Sequence, residues 1–108
     1  MPSEQAGGTQ TATISTEHTL ATVSTAGVYQ LGVDLANLAA GDTVELRVKL
    51  KLRSGSTSRV AWFAQYTHGP GIVPIVLSPP QATVVELVAT LKQTTGTGRN
   101  FEWTIIKV

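Results

Sequence analysis

Four cations, Arg47, Lys49, Lys51 and Arg53, recur at every second residue of the run TVELRVKLKLR (43–53), the most regular array of charged groups in the chain. Alternate residues of a β-strand share one face at intervals of about 7 Å, so the row would present either a solvated outer face or a cationic stripe able to meet an acidic protein surface. No exposed aromatics are interleaved for base stacking, and nucleic acid is not an expected partner. Catalytic and metal chemistry finds fewer anchors. His18 and His68 lie far apart, neither belongs to a spaced ligand set such as HExxH, and Glu17 points away from His18 on a strand. A Ser-His-Asp arrangement could draw on Ser56 or Ser58, His68, and Asp34 or Asp42, but no strand-turn-helix elbow surrounds either serine. Asp34, Asp42, Glu45, Glu86 and Glu102 are scattered, each at a turn or on the polar side of a strand. The loop TTGTGR (94–99) has the spaced glycines of a phosphate cradle but neither the lysine nor the helix that should follow, so it reads as a hairpin turn. With no cysteine, thiolate zinc sites and disulfides are excluded. The expectation is a protein without catalytic residues, metal or cofactor.

Strands must position these groups. In 43–53, Val44, Leu46, Val48, Leu50 and Leu52 alternate with Glu45 and the four cations, a pattern that only a strand sorts onto two faces. The aliphatic set is expected to face the core, because a slip of one residue would bury five charges in its place. Tyr29, Leu31, Val33 and Leu35 repeat the pattern over 27–35. Further strands are expected near 18–24, 58–67, 72–77, 82–93 and 100–108, with RSGSTS (53–58) closing a hairpin. Val60, Trp62, Ala64 and Tyr66 share one face of 58–67, which leaves Phe63 outside, and NLAAGD (37–42) is read as one helical turn. Pro74 denies the ladder a donor, so 72–77 is an edge or bulged strand exposing Ile72 and Ile75. The last strand sets Phe101, Trp103 and Ile105 against a face that ends in Ile106 and Val108, apolar on both sides. The fold class is all-β, an antiparallel two-sheet β-sandwich, with a jelly roll preferred over an immunoglobulin-like arrangement.

A chain of 108 residues makes one domain. Its formal net charge of +1 gives no global attraction to nucleic acid or anionic membrane. Residues 1–16, MPSEQAGGTQTATIST, are small and polar with a Gly7-Gly8 hinge, and are expected to form a flexible extended arm ahead of a single sandwich domain over 17–108. No signal-peptide pattern opens the chain, and no apolar run approaches the roughly 20 residues of a spanning helix, so cytosolic synthesis and no membrane partner are expected.

The segments STAGVYQLGVDLANLAAGDTVELRVKLKLRSG (24–55) and LKQTTGTGRNFEWTI (91–105) resemble small virion proteins of tailed bacteriophages, particularly the decoration or cement proteins that sit on assembled capsids. The resemblance implies a compact β-fold, often trimeric, that binds the major capsid protein, bridges neighbouring subunits and needs no active site; its place would be the capsid surface of the virion. The residues are compatible, since a polar leading segment, a proline-containing apolar edge and a last strand apolar on both faces are surfaces that association completes. The expected partner-binding residues are therefore Arg47, Lys49, Lys51 and Arg53 on the basic row, and Ile72, Ile75, Ile106 and Val108 on the apolar edges. A carbohydrate- or receptor-binding module of a phage tail is the competing expectation, with an exposed aromatic such as Phe63 as its sugar platform.

Overall fold

Alternating apolar residues and glycine-, proline- or aspartate-bearing turns divide the described residues into strands, with no helix among them. The computed structural model describes residues 2–71 and 73–108. Its strands are β1 (Ser3–Thr11), β2 (Glu17–Val23), β3 (Gly27–Asp34), β4 (Thr43–Lys51), β5 (Arg59–Thr67), β6 (Ile75–Leu77), β7 (Gln81–Thr83), β8 (Glu86–Thr95) and β9 (Asn100–Lys107). One sheet runs β1-β9-β3-β6, with β7 also on β3, and the other runs β2-β8-β4-β5. All pairings are antiparallel. The all-β, two-sheet expectation holds.

One register runs through the whole chain. Ser3 faces Lys107, Glu17 faces Lys92, Asp34 faces Ile75 and Thr43 faces Thr67, and every one of these pairs is centred within a residue of Gly55. The molecule is thus a single long hairpin whose tip is the expected turn at 53–58, where Gly55 takes the left-handed φ of 86° that suits glycine. The hairpin is then folded over so that β3 pairs with β9 and β4 with β8. Between the two layers lie Tyr29, Leu31, Val33, Phe101 and Ile105 from one sheet and Val44, Leu46, Val48, Leu87, Ala89 and Leu91 from the other, all buried. The Tyr29 hydroxyl reaches the core's rim and donates to the Thr25 carbonyl at 2.8 Å, so its burial leaves no polar atom stranded.

The proline-rich edge is built as a broken strand. β6 and β7 lie end to end along β3, their registers offset by one residue across Ser78-Pro79-Pro80. At this break the buried Ser78 restores the ladder. Its N–H donates to the Leu31 carbonyl at 2.8 Å, and its Oγ accepts the Leu31 N–H at 2.9 Å. Ser78→Ala is expected to leave the Leu31 N–H unpaired in a buried site and to cost about 1–3 kcal/mol in urea unfolding.

Several expectations are corrected. The segment read as a flexible arm is strand β1, paired with β9 from Ser3 to Thr11. Its side chains are almost all exposed, as the composition implied; backbone hydrogen bonds hold it, not burial. The stretch 82–93 is two strands, because the chain passes from one sheet to the other at Val84-Val85. Residues 96–99 accordingly connect β8 to β9 in the other sheet, so the loop is no hairpin turn. Residues 37–42 form two successive turns, closed by Leu38 N–H to Leu35 O and Asp42 N–H to Ala39 O, in place of a helical turn. Leu52 lies beyond the end of β4 and is 78% exposed, not inward. A bulge opposite Val48 and Lys49 inserts Ala61, so Val60 pairs with Lys49 on the outer face while Trp62 pairs with Val48.

Candidate functional site

β4 places Arg47, Lys49 and Lys51 on the outer face of the second sheet in the expected row; Arg53 falls outside the strand, in the turn. Neighbouring strands then bring in acids. Glu45 and Glu17 flank Lys92 across β4, β8 and β2, and Glu86 stands opposite Lys51. Arg47 Nη2 donates to Glu45 Oε1 at 3.0 Å, and its guanidinium lies 4.7 Å from the centroid of the Phe63 ring. Lys49 Nζ sits 3.0 Å from Glu17 Oε2, which also accepts the Thr90 hydroxyl at 2.7 Å. That hydroxyl is the main reason the Glu17 carboxyl is held below its ordinary range; partial burial opposes it and Lys49 assists. Three acids thus stand among the four cations of this face, and its partly exposed pairs each contribute at most about 1 kcal/mol. Phe63 is exposed as expected, but one face of its ring is taken by Arg47, which leaves a sugar little platform.

The opposite face of the molecule is different in kind. On the outer side of the first sheet, β1, β9, β3 and β6 line an open hollow of about 540 Å³. Ile75, Leu77 and Ile106 supply apolar walls, and Glu4, Asp34 and Glu102 supply carboxylates. Ile75 and Leu77 are 56% and 53% exposed, large apolar side chains left in water. Gly32 keeps the floor low: a Cβ there would come within 2.8 Å of Leu77 Cδ2 and 3.3 Å of Thr104 Cγ2. Asp34 and Glu102 stand directly opposite each other across β3 and β9, a like-charge pairing that costs a free sheet stability. The hollow thus brings together Ile75 and Ile106 of the expected residues. Val108 is exposed beyond the end of β9, its N–H bonded to Val28 O, and Ile72 lies outside the described residues.

The glycine-rich loop does cradle an anion, and the anion is the protein's own. Asp42 is fully buried; its Oδ2 accepts from Ala39 N–H at 2.9 Å and Arg99 Nε at 2.8 Å, and its Oδ1 from Thr97 N–H at 3.2 Å. Burial alone would raise the Asp42 carboxyl, but the Ala39 N–H, Arg99 and the Thr97 N–H together outweigh it and hold the group below its ordinary range. Gln93, equally buried, ties the same loop by donating to Thr95 O and Thr97 O and accepting from Arg99 N–H. The sequence reading missed this cluster, although the inward parity of Leu87, Ala89 and Leu91 also places Gln93 inward and marks it as a polar residue in need of partners.

With both oxygens so engaged, Asp42 is spent as a structural acceptor and is not free to orient a histidine. His18 Nε2 accepts the Thr13 N–H at 3.0 Å, which fixes its role as a cap for the turn before β2. Among the described residues no group of three or more His, Asp or Glu side chains is placed to hold a metal ion, and no helix is long and apolar enough to cross a membrane. Compared with models of protein families, with curated proteins and with solved structures, the chain matches none.

Proposed function

We propose that the chain is a non-enzymatic virion protein that decorates an assembled phage capsid, docking on the major capsid protein through the outer face of the first sheet. The observation that carries this reading is the hollow: the exposed Ile75 and Leu77, the half-buried Ile106 and three carboxylates converge in a depression too open to enclose a small molecule but shaped to seat an apolar projection. A capsid segment with aliphatic side chains flanked by lysine or arginine fits it, since those cations would relieve the Asp34–Glu102 repulsion. The basic row is the lesser surface, because Glu17 and Glu45 already occupy Lys49 and Arg47.

A jelly-roll topology is part of the proposal. If β6 and β7 count as one interrupted strand, eight strands nest as a folded hairpin in two sheets of four, the architecture shared by viral capsid and lectin domains. Ile75→Thr combined with Ile106→Thr keeps β-branched side chains and adds no charge opposite Asp34 or Glu4, and is expected to leave the melting temperature within a few degrees of wild type. The same pair should weaken co-sedimentation with capsids stripped of this protein by about 100-fold, as expected for two lost apolar contacts. Undiminished binding by the folded double variant would overturn the docking face.

A further inference from the structure

Among the described residues, three of the four sheet edges are guarded against pairing with another strand. β6 and β7 are three residues each and interrupted by two prolines, β1 carries a bulge between Glu4 and Ala6 and two glycines, and β2 carries a bulge between Thr19 and Ala21. The fourth is not. β5 is nine residues long, RVAWFAQYT, with no proline or glycine and one charge, at its first position. Its bulge at Ala61 lies near that same end, and from Trp62 to Thr67 the strand runs in unbroken register with β4. A long, flat, nearly uncharged edge of high β-propensity invites a further strand.

The direction of its free groups can be read from one bond. His68 N–H donates to Asp42 O at 3.4 Å, and in an antiparallel ladder residues alternate between facing the partner and facing away. Trp62, Ala64 and Tyr66 therefore turn their N–H and C=O groups toward β4, while Phe63, Gln65 and Thr67 turn theirs outward.

We propose that this edge is covered by β5 of a second copy of the chain, antiparallel across a twofold axis at Ala64, which joins two four-stranded sheets into one of eight. In that register the outward-directed Phe63 and Gln65 exchange backbone hydrogen bonds between copies. Trp62 meets Tyr66 of the second copy, an aromatic pair formed twice, and Ala64 meets its own counterpart at the axis. Trp62 and Tyr66 are only half-buried in one copy and already pack on the core, so pairing completes their burial. Arg59 falls beyond the paired stretch and meets no like charge. A foreign strand selected by charge would find nothing between Val60 and Thr67 to read, whereas the strand is complementary to itself. The pair is twofold, in contrast to the trimer that the phage-protein resemblance implies, and it uses no residue of the capsid-docking hollow.

Light scattering on the full chain over about 5–200 µM, combined with amide hydrogen exchange, tests this without any capsid. The wild type is expected to double its mass within that range, with the amides of Phe63, Gln65 and Thr67 becoming protected as it does. Gln65→Pro removes an N–H with no partner in its own chain, so the β4–β5 ladder survives and the protein should stay monomeric. Gln65→Lys sets two added charges near the axis and should weaken pairing at least about tenfold; it carries the test should the proline variant not fold. A wild type that is monomeric at the upper concentration overturns the proposal. So does a dimer that persists unchanged in folded Gln65→Lys, or one whose three amides still exchange freely.

Discussion

Asp42→Ala is expected to cost about 3–5 kcal/mol of folding stability, in the range for removing one partner of a buried charge pair. For a chain of this length that lowers Tm by more than about 10 °C. The loss falls mainly on the backbone. Ala39 N–H and Thr97 N–H would be left without an acceptor beside a carboxylate site that solvent does not reach, at about 1–3 kcal/mol each. Arg99, one-third exposed, can turn to water and recover part of its own share. Asp42→Asn keeps the shape and one carbonyl acceptor and should cost less. Gly96→Ala attacks the same cluster from the other side, since Gly96 has a φ of 90° and an added Cβ would overlap Asp42 Oδ1. Acid titration separates the charge from the shape. The folded-state pKa of Asp42 is depressed, so its contribution is present above the unfolded value near pH 4 and is lost as pH falls through the folded value. Glu17, depressed chiefly by the Thr90 hydroxyl, acts in the same direction. Thermal melts should be nearly level above about pH 5 and fall steeply below about pH 4, and Asp42→Asn should flatten the fall. A slope unchanged in Asp42→Asn would show that folding does not lower the Asp42 pKa.

Leu46→Ala and Leu52→Ala should differ by a factor of several although both leucines belong to one alternating run. Leu46 is 1% exposed at the centre of the core, and truncation there removes buried methyl groups and leaves a cavity, at about 2–5 kcal/mol. Leu52 stands in solvent after β4 has ended, and its truncation should stay within about 0.5 kcal/mol. Urea midpoints with equal m-values would measure the contrast. Equal losses at the two positions would mean that the strand continues inward past Lys51.

Strand parity within one sheet was legible from the sequence because it depends on neighbours two residues apart. Tyr29, Leu31 and Val33, then Val44, Leu46 and Val48, then Leu87, Ala89 and Leu91, all point where their alternation put them. The corner at Val84-Val85 was invisible for the same reason: Thr83 in one sheet and Leu87 in the other both face the core, so alternation runs through the crossing without a break. β1 was missed because its hold is a backbone ladder with β9, and composition reports side-chain burial alone. The balance of the basic row was only half visible. Glu45 sits beside Arg47 in sequence, but Glu17 and Glu86 arrive from β2 and β8. The loop TTGTGR was recognised as a place for an anion and rejected for want of a helix, while the anion that fills it is 55 positions away along the chain. Ile75 and Ile106 were named as separate apolar edges; their meeting over Gly32 follows from β3 lying between β6 and β9.

The centring of every nested pair on Gly55 has a consequence for how the protein comes into being. Only the β4–β5 tip joins nearby residues; each later pair spans a longer loop, and the β1–β9 closure reaches from Ser3 to Lys107. Contacts of such long separation fold slowly, on the order of milliseconds to seconds. During synthesis β9, which bridges β1 and β3, leaves the ribosome after the other eight strands described. Until it does, the inner faces of β3 and β4 stay open to water, so a ribosome stalled before Asn100 would hold an oily half-product in need of a chaperone.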